Sequence, residues 1–371
     1  MSRRGDRSVL IATPNLCLDR TQLVPELVLG GVMRARSVEV TAGGKGVNIA
    51  RVARAHRQRA TVVGLVADRD RERLLRLLAE EGADVVDVPM PGDTRNAIIV
   101  IEQPGGRTTI VNEPGSTIDA AIWKRYRDAI AASLPGHRTL ACSGSLPPGA
   151  PEDGYGQLVR LAHEAGVIAV VDTAPAALRA SLASGPDLVK PNLQEAEAAI
   201  SGTSGLVLLD ADSDVRERAM AAATTLCELG AHNAAVTAGA HGVALAEGTS
   251  RVRWFPAIKV EVVSAVGAGD SFLGGVLLEI EAAGAASDNA AGAGSAGGGG
   301  ASRAESGGAG SAAGSGTGGA GKAGGTVDWA AAILRGSATA SASCEQLRAG
   351  GVDPDRAAEL LAQLRKLGTQ P

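Results

Sequence analysis

The sequence predicts a doubly wound α/β fold: a mostly parallel sheet with helices on both faces and a small β-sheet lid. Three observations carry this. Short apolar runs of strand length recur along the chain, and each is followed by a segment with helical periodicity. Two further stretches, 20–41 and 95–112, read as strands with no helix between them. Of the 371 residues, 45% are hydrophobic but only 2% aromatic, so the core must be built from Val, Leu, Ile and Ala.

Taken in order, the strand runs fall at 8–13, 61–66, 139–142, 167–172, 187–189 and 233–237. The helical patterns fall at 47–56, 70–81, 118–133, 156–165, 194–200 and 215–229. Buried strands that alternate with amphipathic helices need parallel pairing, because each crossover returns the chain to the same edge of the sheet. The 95–112 stretch predicts a hairpin across Gln103, Pro104, Gly105 and Gly106. With 20–41 it predicts a small antiparallel sheet laid over the main one. Residues 282–326 are mostly Gly, Ala and Ser, with neither proline nor aromatic, and are expected to be a disordered insertion, since they cannot bury enough surface to offset chain entropy. The folded domain would then comprise 1–281 and 327–371, with two or three closing helices in 327–368.

A formal net charge of −4 leaves no global field for a nucleic acid or an anionic membrane, so neither is expected as a partner. Cys17, Cys142, Cys227 and Cys344 are far apart and form no CxxC pair, which points away from a zinc site or a disulfide framework and toward a reducing, cytoplasmic setting. The apolar run at 9–12 is too short for a signal-peptide core, and no segment approaches membrane-spanning length.

Two glycine-rich motifs carry chemistry. At 262–275 the chain reads VVSAVGAGDSFLGG, which sets Gly267, Ala268 and Gly269 just before an acidic residue and an apolar helix. Backbone N–H groups at such a helix start can face a transferring phosphoryl group, and Asp270 in the first turn can accept the proton of an attacking hydroxyl. The same residues also fit a tight turn with an aspartate cap. At 41–48 the chain reads TAGGKGVN and enters a helix. It lacks the spacing and hydroxyl of a Walker A loop, but a glycine loop with Lys45 and Asn48 can bind sugar hydroxyls and a phosphate. A surface turn with a solvated lysine is the plainer alternative.

GGKGVN at 43–48, SGSLPPG at 143–149, KPNLQE at 190–195 and VGAGDS at 266–271, in this order and spacing, resemble the ribokinase-like carbohydrate kinases. The nearest resemblance is to the 1-phosphofructokinase and tagatose-6-phosphate kinase group. It covers about residues 9–280 and, more weakly, 327–368. The resemblance implies Asp270 as catalytic base, with Gly267, Ala268 and Gly269 as an anion hole. It implies a sugar site from Asp19, Gly43, Gly44, Lys45 and Asn48, and a site for the sugar's own phosphate from Arg95 and Ser145. It implies ATP binding by Lys190, Asn192, Thr237, Gly239 and Gly242. Asn192 and Glu195, three apart at a helix start, would organise Mg2+ through water. The lid implies a homodimer.

Several positions depart from the family pattern. The sugar-side motif reads NLCLD at 15–19 without the usual proline, a family turn appears as DTAP at 172–175, and Ala265 stands where threonine is common. The 340–345 segment, ASASCE, lacks the family's Gly-Thr turn. His241 is expected to be an exposed loop residue. Lys45 in the glycine loop tilts the resemblance toward fructose 1-phosphate as substrate and fructose 1,6-bisphosphate as product, with tagatose 6-phosphate or fructose 6-phosphate as alternatives. A dehydrogenase would need an early GxGxxG that the N-terminal segment lacks. A non-catalytic sugar-phosphate sensor would be expected to lose Asp270, Asn192 or Glu195, and all three are present.

Overall fold

The computed structural model describes residues 8–103, 107–203, 214–294 and 327–368. The main sheet has nine strands in the order β13-β12-β11-β10-β9-β8-β1-β4-β5. They are β1 (Ser8–Ala12), β4 (Arg59–Ala67), β5 (Asp84–Met90), β8 (Thr139–Ser143), β9 (Ile168–Asp172), β10 (Leu188–Val189), β11 (Asn233–Thr237), β12 (Gly242–Glu247) and β13 (Arg251–Pro256). All pairings from β5 to β11 are parallel, and β12 and β13 add an antiparallel edge. A second sheet, β3-β2-β6-β7, is built from β2 (Cys17–Val24), β3 (Ser37–Gly43), β6 (Arg95–Glu102) and β7 (Thr108–Asn112).

Strand periodicity explains the layering. Leu10 and Ala12 of β1 face one core, while Val9 and Ile11 face the other. The first core is closed by α3 (Ala120–Ser133), α4 (Gly154–Glu164), α5 (Pro175–Leu182), α6 (Leu193–Ser201) and α7 (Val215–Glu228). The second is closed by α1 (Lys45–Ala55), α2 (Arg71–Glu80), α8 (Ala268–Gly294) and α9 (Trp329–Cys344), with α10 (Pro354–Leu367) packed on α9. Glycine lets α8 and α9 approach closely: a Cβ at Gly275 would meet Thr339 and the carbonyl of Arg335.

Two expectations need correction, and some elements are new. The lid is mixed rather than antiparallel, because β2 pairs with β6 in parallel and only β2–β3 and β6–β7 are antiparallel. The β6–β7 hairpin forms, although the tip at 104–106 lies outside the described residues. Helix α8 runs on to Gly294, so residues 282–294 are helical where disorder is expected; alanine-rich sequence has high helix propensity and here continues a helix already nucleated on the core. The rest of the insertion, 295–326, lies outside the described residues. Strands β5, β12 and β13 and helix α5 are additional to the elements expected. Among the described residues, no helix is long and apolar enough to cross a membrane.

The main sheet reverses its winding direction between β1 and β8, so the loops leaving these two neighbouring strands diverge and open a crevice at their carboxyl ends. Tyr126 secures one side of it: its buried hydroxyl donates to the Val63 carbonyl at 3.0 Å, which also accepts from the Thr13 N–H at 3.0 Å. Because the carbonyl keeps its second partner, Tyr126→Phe should cost only about 1 kcal/mol in unfolding free energy, measured by denaturant titration.

Candidate active site

The chain leaves β1 through Thr13 and Asn15, forms the first half of the lid, and returns through β3 directly into α1. This path lays the lid across the carboxyl edge of the sheet and encloses a cleft of about 670 Å³. Its wall includes Asn15, Asp19, Lys45, Arg95, Ser145 and Asp270.

On the lid side, Asp19 lies over the end of β3, and a Cβ at residue 43 would fall on its carboxylate. Glycine at 43 is therefore what allows this buried aspartate its place. Burial raises the Asp19 carboxyl above its usual range, against lowering by the Cys17 thiol, which donates to Oδ1 at 3.2 Å, and by Arg51 and Arg95. Arg95, at the start of β6, directs Nε and Nη2 onto the Asn15 carbonyl at 3.1 and 3.0 Å. Asn15 in turn donates Nδ2 to Ser145 Oγ at 3.0 Å. Arg95 and Ser145, 50 residues apart in sequence, thus flank one asparagine at the mouth of the cleft.

At the cleft floor, Asp270 occupies the first turn of α8. Gly267 adopts φ +76°, a left-handed conformation that suits glycine, and packs on Ala349, which leaves no room for a Cβ. Asn48 Nδ2 donates to Asp270 Oδ2 at 2.7 Å. Burial pushes the Asp270 carboxyl up to about 6; Lys45 lowers it, Asp172 raises it, and Asn48 and Lys190 lower it.

Asp172, at the end of β9, is fully buried between two lysines. Lys45 Nζ lies 2.9 Å from Oδ1 and Lys190 Nζ lies 3.2 Å from Oδ2. Burial alone would raise the Asp172 carboxyl, but the two lysines hold it below its ordinary value. Burial would likewise depress the Lys45 ammonium, yet Asp172, Glu195 and Asp270 carry it above the normal lysine range. Lys45 therefore turns away from the lid toward the carboxylates, and Glu195 Oε1 stands 3.7 Å from its Nζ. Lys190 is nearly inaccessible behind the glycine loop, its Nζ beside Gly269.

Asn192 and Glu195 form a capping box at the start of α6. Asn192 Oδ1 accepts from the Glu195 N–H at 2.8 Å, and Glu195 Oε2 accepts from the Asn192 N–H at 2.9 Å. The capping alternative is thus realised, and Oε1 of Glu195 remains directed at the cleft. Thr237 ends β11 beside Asn192, bridged to it in parallel register, with its N–H on the Pro191 carbonyl. Gly239 lies in the turn that follows, and Gly242 opens β12, buried against Trp254 and Phe255. His241 is exposed, as expected.

Two residues escaped sequence reasoning. Asp172 is read there only as part of a turn, although a carboxylate ending an otherwise apolar strand already signals a buried partner. Arg51 is passed over inside α1, although it falls three residues after Asn48, on the same helix face.

A carboxylate at a helix start, a glycine-rich turn, two fixed ammonium groups and a lidded polar cleft are the kinds of group that moving a phosphoryl group to a bound hydroxyl requires. The comparisons agree with that chemistry. Residues 12–356 match the model of a family described as pfkB family carbohydrate kinase. The chain is 32% identical over 269 residues to the 1-phosphofructokinase of Rhodobacter capsulatus, covering 71% of this chain and 80% of that protein. It is 28% identical over 275 residues to that of Haemophilus influenzae, covering 74% and 84%. Among solved structures, Escherichia coli phosphofructokinase-2 in complex with potassium superposes with a TM-score of 0.74 at 24% identity, over 97% of this chain and 99% of that one. At that identity the superposition shows the shared fold.

The burial of Asp270 makes an acid limb the expected signature of the site. A base must be deprotonated to act, so kcat/KM should fall about tenfold per pH unit below the Asp270 midpoint near 6 and level off above it, measured across pH 5–8. Replacing Asp172 by Asn would leave Lys190 buried without its counter-charge, and should cost about 3–5 kcal/mol of stability by denaturant unfolding.

Proposed function

The chain belongs to the pfkB family of carbohydrate kinases, phosphotransferases with a hydroxyl acceptor, and we propose that it phosphorylates fructose 1-phosphate from ATP to give fructose 1,6-bisphosphate and ADP. The observation that carries this reading is the buried Asp270 at the helix start, held by Asn48 and faced by Lys45 at the floor of the lidded cleft. The name of the relatives supports the choice of sugar: those of R. capsulatus and H. influenzae are 1-phosphofructokinases.

In this reading Asp270 takes the proton of the sugar 6-hydroxyl. The hydroxyl oxygen forms the new bond to the γ-phosphorus, the bond to the bridging oxygen breaks, and its electron pair leaves with ADP. The amides of Gly267, Ala268 and Gly269 would receive the equatorial phosphoryl oxygens. Lys45, drawn among the carboxylates, would meet the transferring group rather than the sugar's own phosphate. Asp19, Gly43, Gly44 and Asn48 would bind the sugar hydroxyls, while Arg95 and Ser145 at the cleft mouth would hold the existing phosphate. The edge formed by Asn192, Thr237, Gly239 and Gly242 would take ATP, with Lys190 contributing its charge from behind the glycine loop.

Among the described residues no three His, Cys, Asp or Glu side chains converge as a metal cage. Glu195 Oε1, free of the capping box and directed at the cleft, fits a hydrated Mg2+ ion held mainly by substrate phosphates. Such an ion would neutralise charge on those phosphates. Asn192 would assist at the helix start. Exposed apolar side chains on the lid, Leu29, Val32, Ile110 and Val111, support a homodimer in which lid meets lid. A tetrameric inhibited form is known for E. coli phosphofructokinase-2.

A coupled ADP-release assay with Mg-ATP against fructose 1-phosphate, fructose 6-phosphate and tagatose 6-phosphate tests the proposal. Fructose 1-phosphate should give the highest kcat/KM, and Asp270→Ala should lower kcat by about 10²–10⁴-fold. Better turnover of either other sugar would reassign the substrate, and an unaltered Asp270→Ala enzyme would remove the base from its role.

A further inference from the structure

Beneath the cleft floor lies a polar network that the reaction scheme above does not use. Arg51, on α1, is buried, and its guanidinium meets Glu81 at the end of α2 in a two-point pair, with Nε–Oε2 at 2.8 Å and Nη2–Oε1 at 2.9 Å. The same guanidinium donates Nη1 to Asn48 Oδ1 at 2.6 Å and to the Ala349 carbonyl at 3.0 Å, and Nη2 to the Ala42 carbonyl. Arg348, in the turn between α9 and α10, reaches Glu81 Oε1 at 2.7 Å. One arginine therefore gathers the end of the lid strand β3, helix α1, the end of α2 and the α9–α10 turn.

Its effect on chemistry runs through Asn48. A primary amide has one accepting and one donating end, and an arginine can only donate. With Arg51 on one side and the Asp270 carboxylate on the other, only one orientation satisfies both neighbours: Oδ1 toward Arg51 and Nδ2 toward Asp270. The flipped amide would set donor against donor and acceptor against acceptor at two buried contacts.

We propose that Arg51 is a positioning residue for phosphoryl transfer: it locks the Asn48 amide with its NH2 on Asp270 Oδ2, which leaves Oδ1 as the oxygen that takes the substrate proton. This rests on the kinase reading of the site and adds to it the element that orients the base. The other charged groups facing Asp270 are Lys45 from α1, Asp172 from β9 and Lys190 after β10. Among the described residues none of these three hydrogen-bonds the Asn48 amide, so the orientation is set from the Arg51 side.

The test is a direct titration of Asp270 by 13C NMR in full-length protein labelled at aspartate, with its signal assigned by loss in Asp270→Asn. Wild type is compared with Arg51→Gln, Arg51→Lys, Asn48→Ala and the Arg51→Gln/Asn48→Ala double variant. The Asp270 midpoint should rise by about one pH unit in Arg51→Gln and in Asn48→Ala, and less in Arg51→Lys. The double variant should match Asn48→Ala alone, since the arginine acts through the amide. If Arg51→Gln alone fails to fold, Arg51→Gln/Glu81→Gln removes both charges of the buried pair and should show the same rise. In steady-state assays the acid limb should move with the midpoint, and Arg51→Lys should recover part of the lost kcat. A wild-type midpoint in a folded Arg51→Gln variant overturns the proposal. So does a further rise in the double variant above Asn48→Ala, which would mean that Arg51 acts by charge through space. The titration requires no turnover, so a protein inactive on sugar phosphates would overturn the kinase reading while this comparison still decides the role of Arg51.

Discussion

The carboxylate of Asp172, sealed between Lys45 and Lys190, is the constraint around which the catalytic floor is built. A lone charge at this depth would be expelled or neutralised, and an ammonium group as buried as that of Lys190 would be too. Together they are stable only in one arrangement, and that arrangement joins three distant stretches of chain: the glycine loop entering α1, the end of β9 and the segment after β10. Two lysines on one aspartate also leave a surplus positive charge. It is directed at Asp270 and Glu195. The ion pairs thus set the shape of the floor.

The lid depends on that floor through continuity of the backbone. Strand β3 runs straight into α1, so the Asp19–Gly43 contact and the Lys45–Asp172 pair are separated by a single residue of chain. Whatever tilts the lid also moves the start of α1, and with it Lys45 and Asn48. Arg51 stiffens the same junction from below by holding the carbonyl of Ala42 in β3 together with Ala349 and Glu81. The Asp19 contact in the lid and the Asn48–Asp270 hydrogen bond on the floor are joined by this short stretch, without any long relay.

Much of this was legible in the sequence because it is written locally. The strand–helix alternation, the helix start at Asp270 and the glycine loop at 43–48 are each contained within a dozen residues. Their meaning follows from periodicity and from the bareness of glycine. The parallel β2–β6 pairing was not legible, because strands 70 residues apart carry no turn between them to declare their direction. Asp172 and Arg51 were missed for the same physical reason: each earns its place from partners far away in sequence, Lys45 and Lys190 for one, Glu81 and Ala349 for the other. The 282–294 segment shows the opposite error. Its composition suggests disorder, but alanine costs nothing in an existing helix, and α8 continues through Gly294. Asn192 and Glu195 show a third pattern, in which both readings of one motif coexist: the side chains cap α6, and one carboxylate oxygen remains for the cleft.

The balance of these groups bears directly on how Asp270 can work. Fully desolvated, a carboxylate would bind its proton too tightly to be ionised at neutral pH; fully paired with a lysine, it would be too weak a base to accept one. The structure steers between these extremes. Lys45 is drawn primarily to Asp172, so it tempers the effect of burial on Asp270 without neutralising it, and Asp172 pushes in the opposite direction. Further lowering comes from the amide of Asn48, whose direction is imposed by Arg51 from outside the cleft, and from Lys190. A midpoint near 6 leaves the Asp270 carboxylate largely ionised at neutral pH. Asp270 is therefore tuned by the surroundings of its neighbours as much as by its own burial, and the groups that tune it are positioned by the same buried contacts that hold the lid to the sheet.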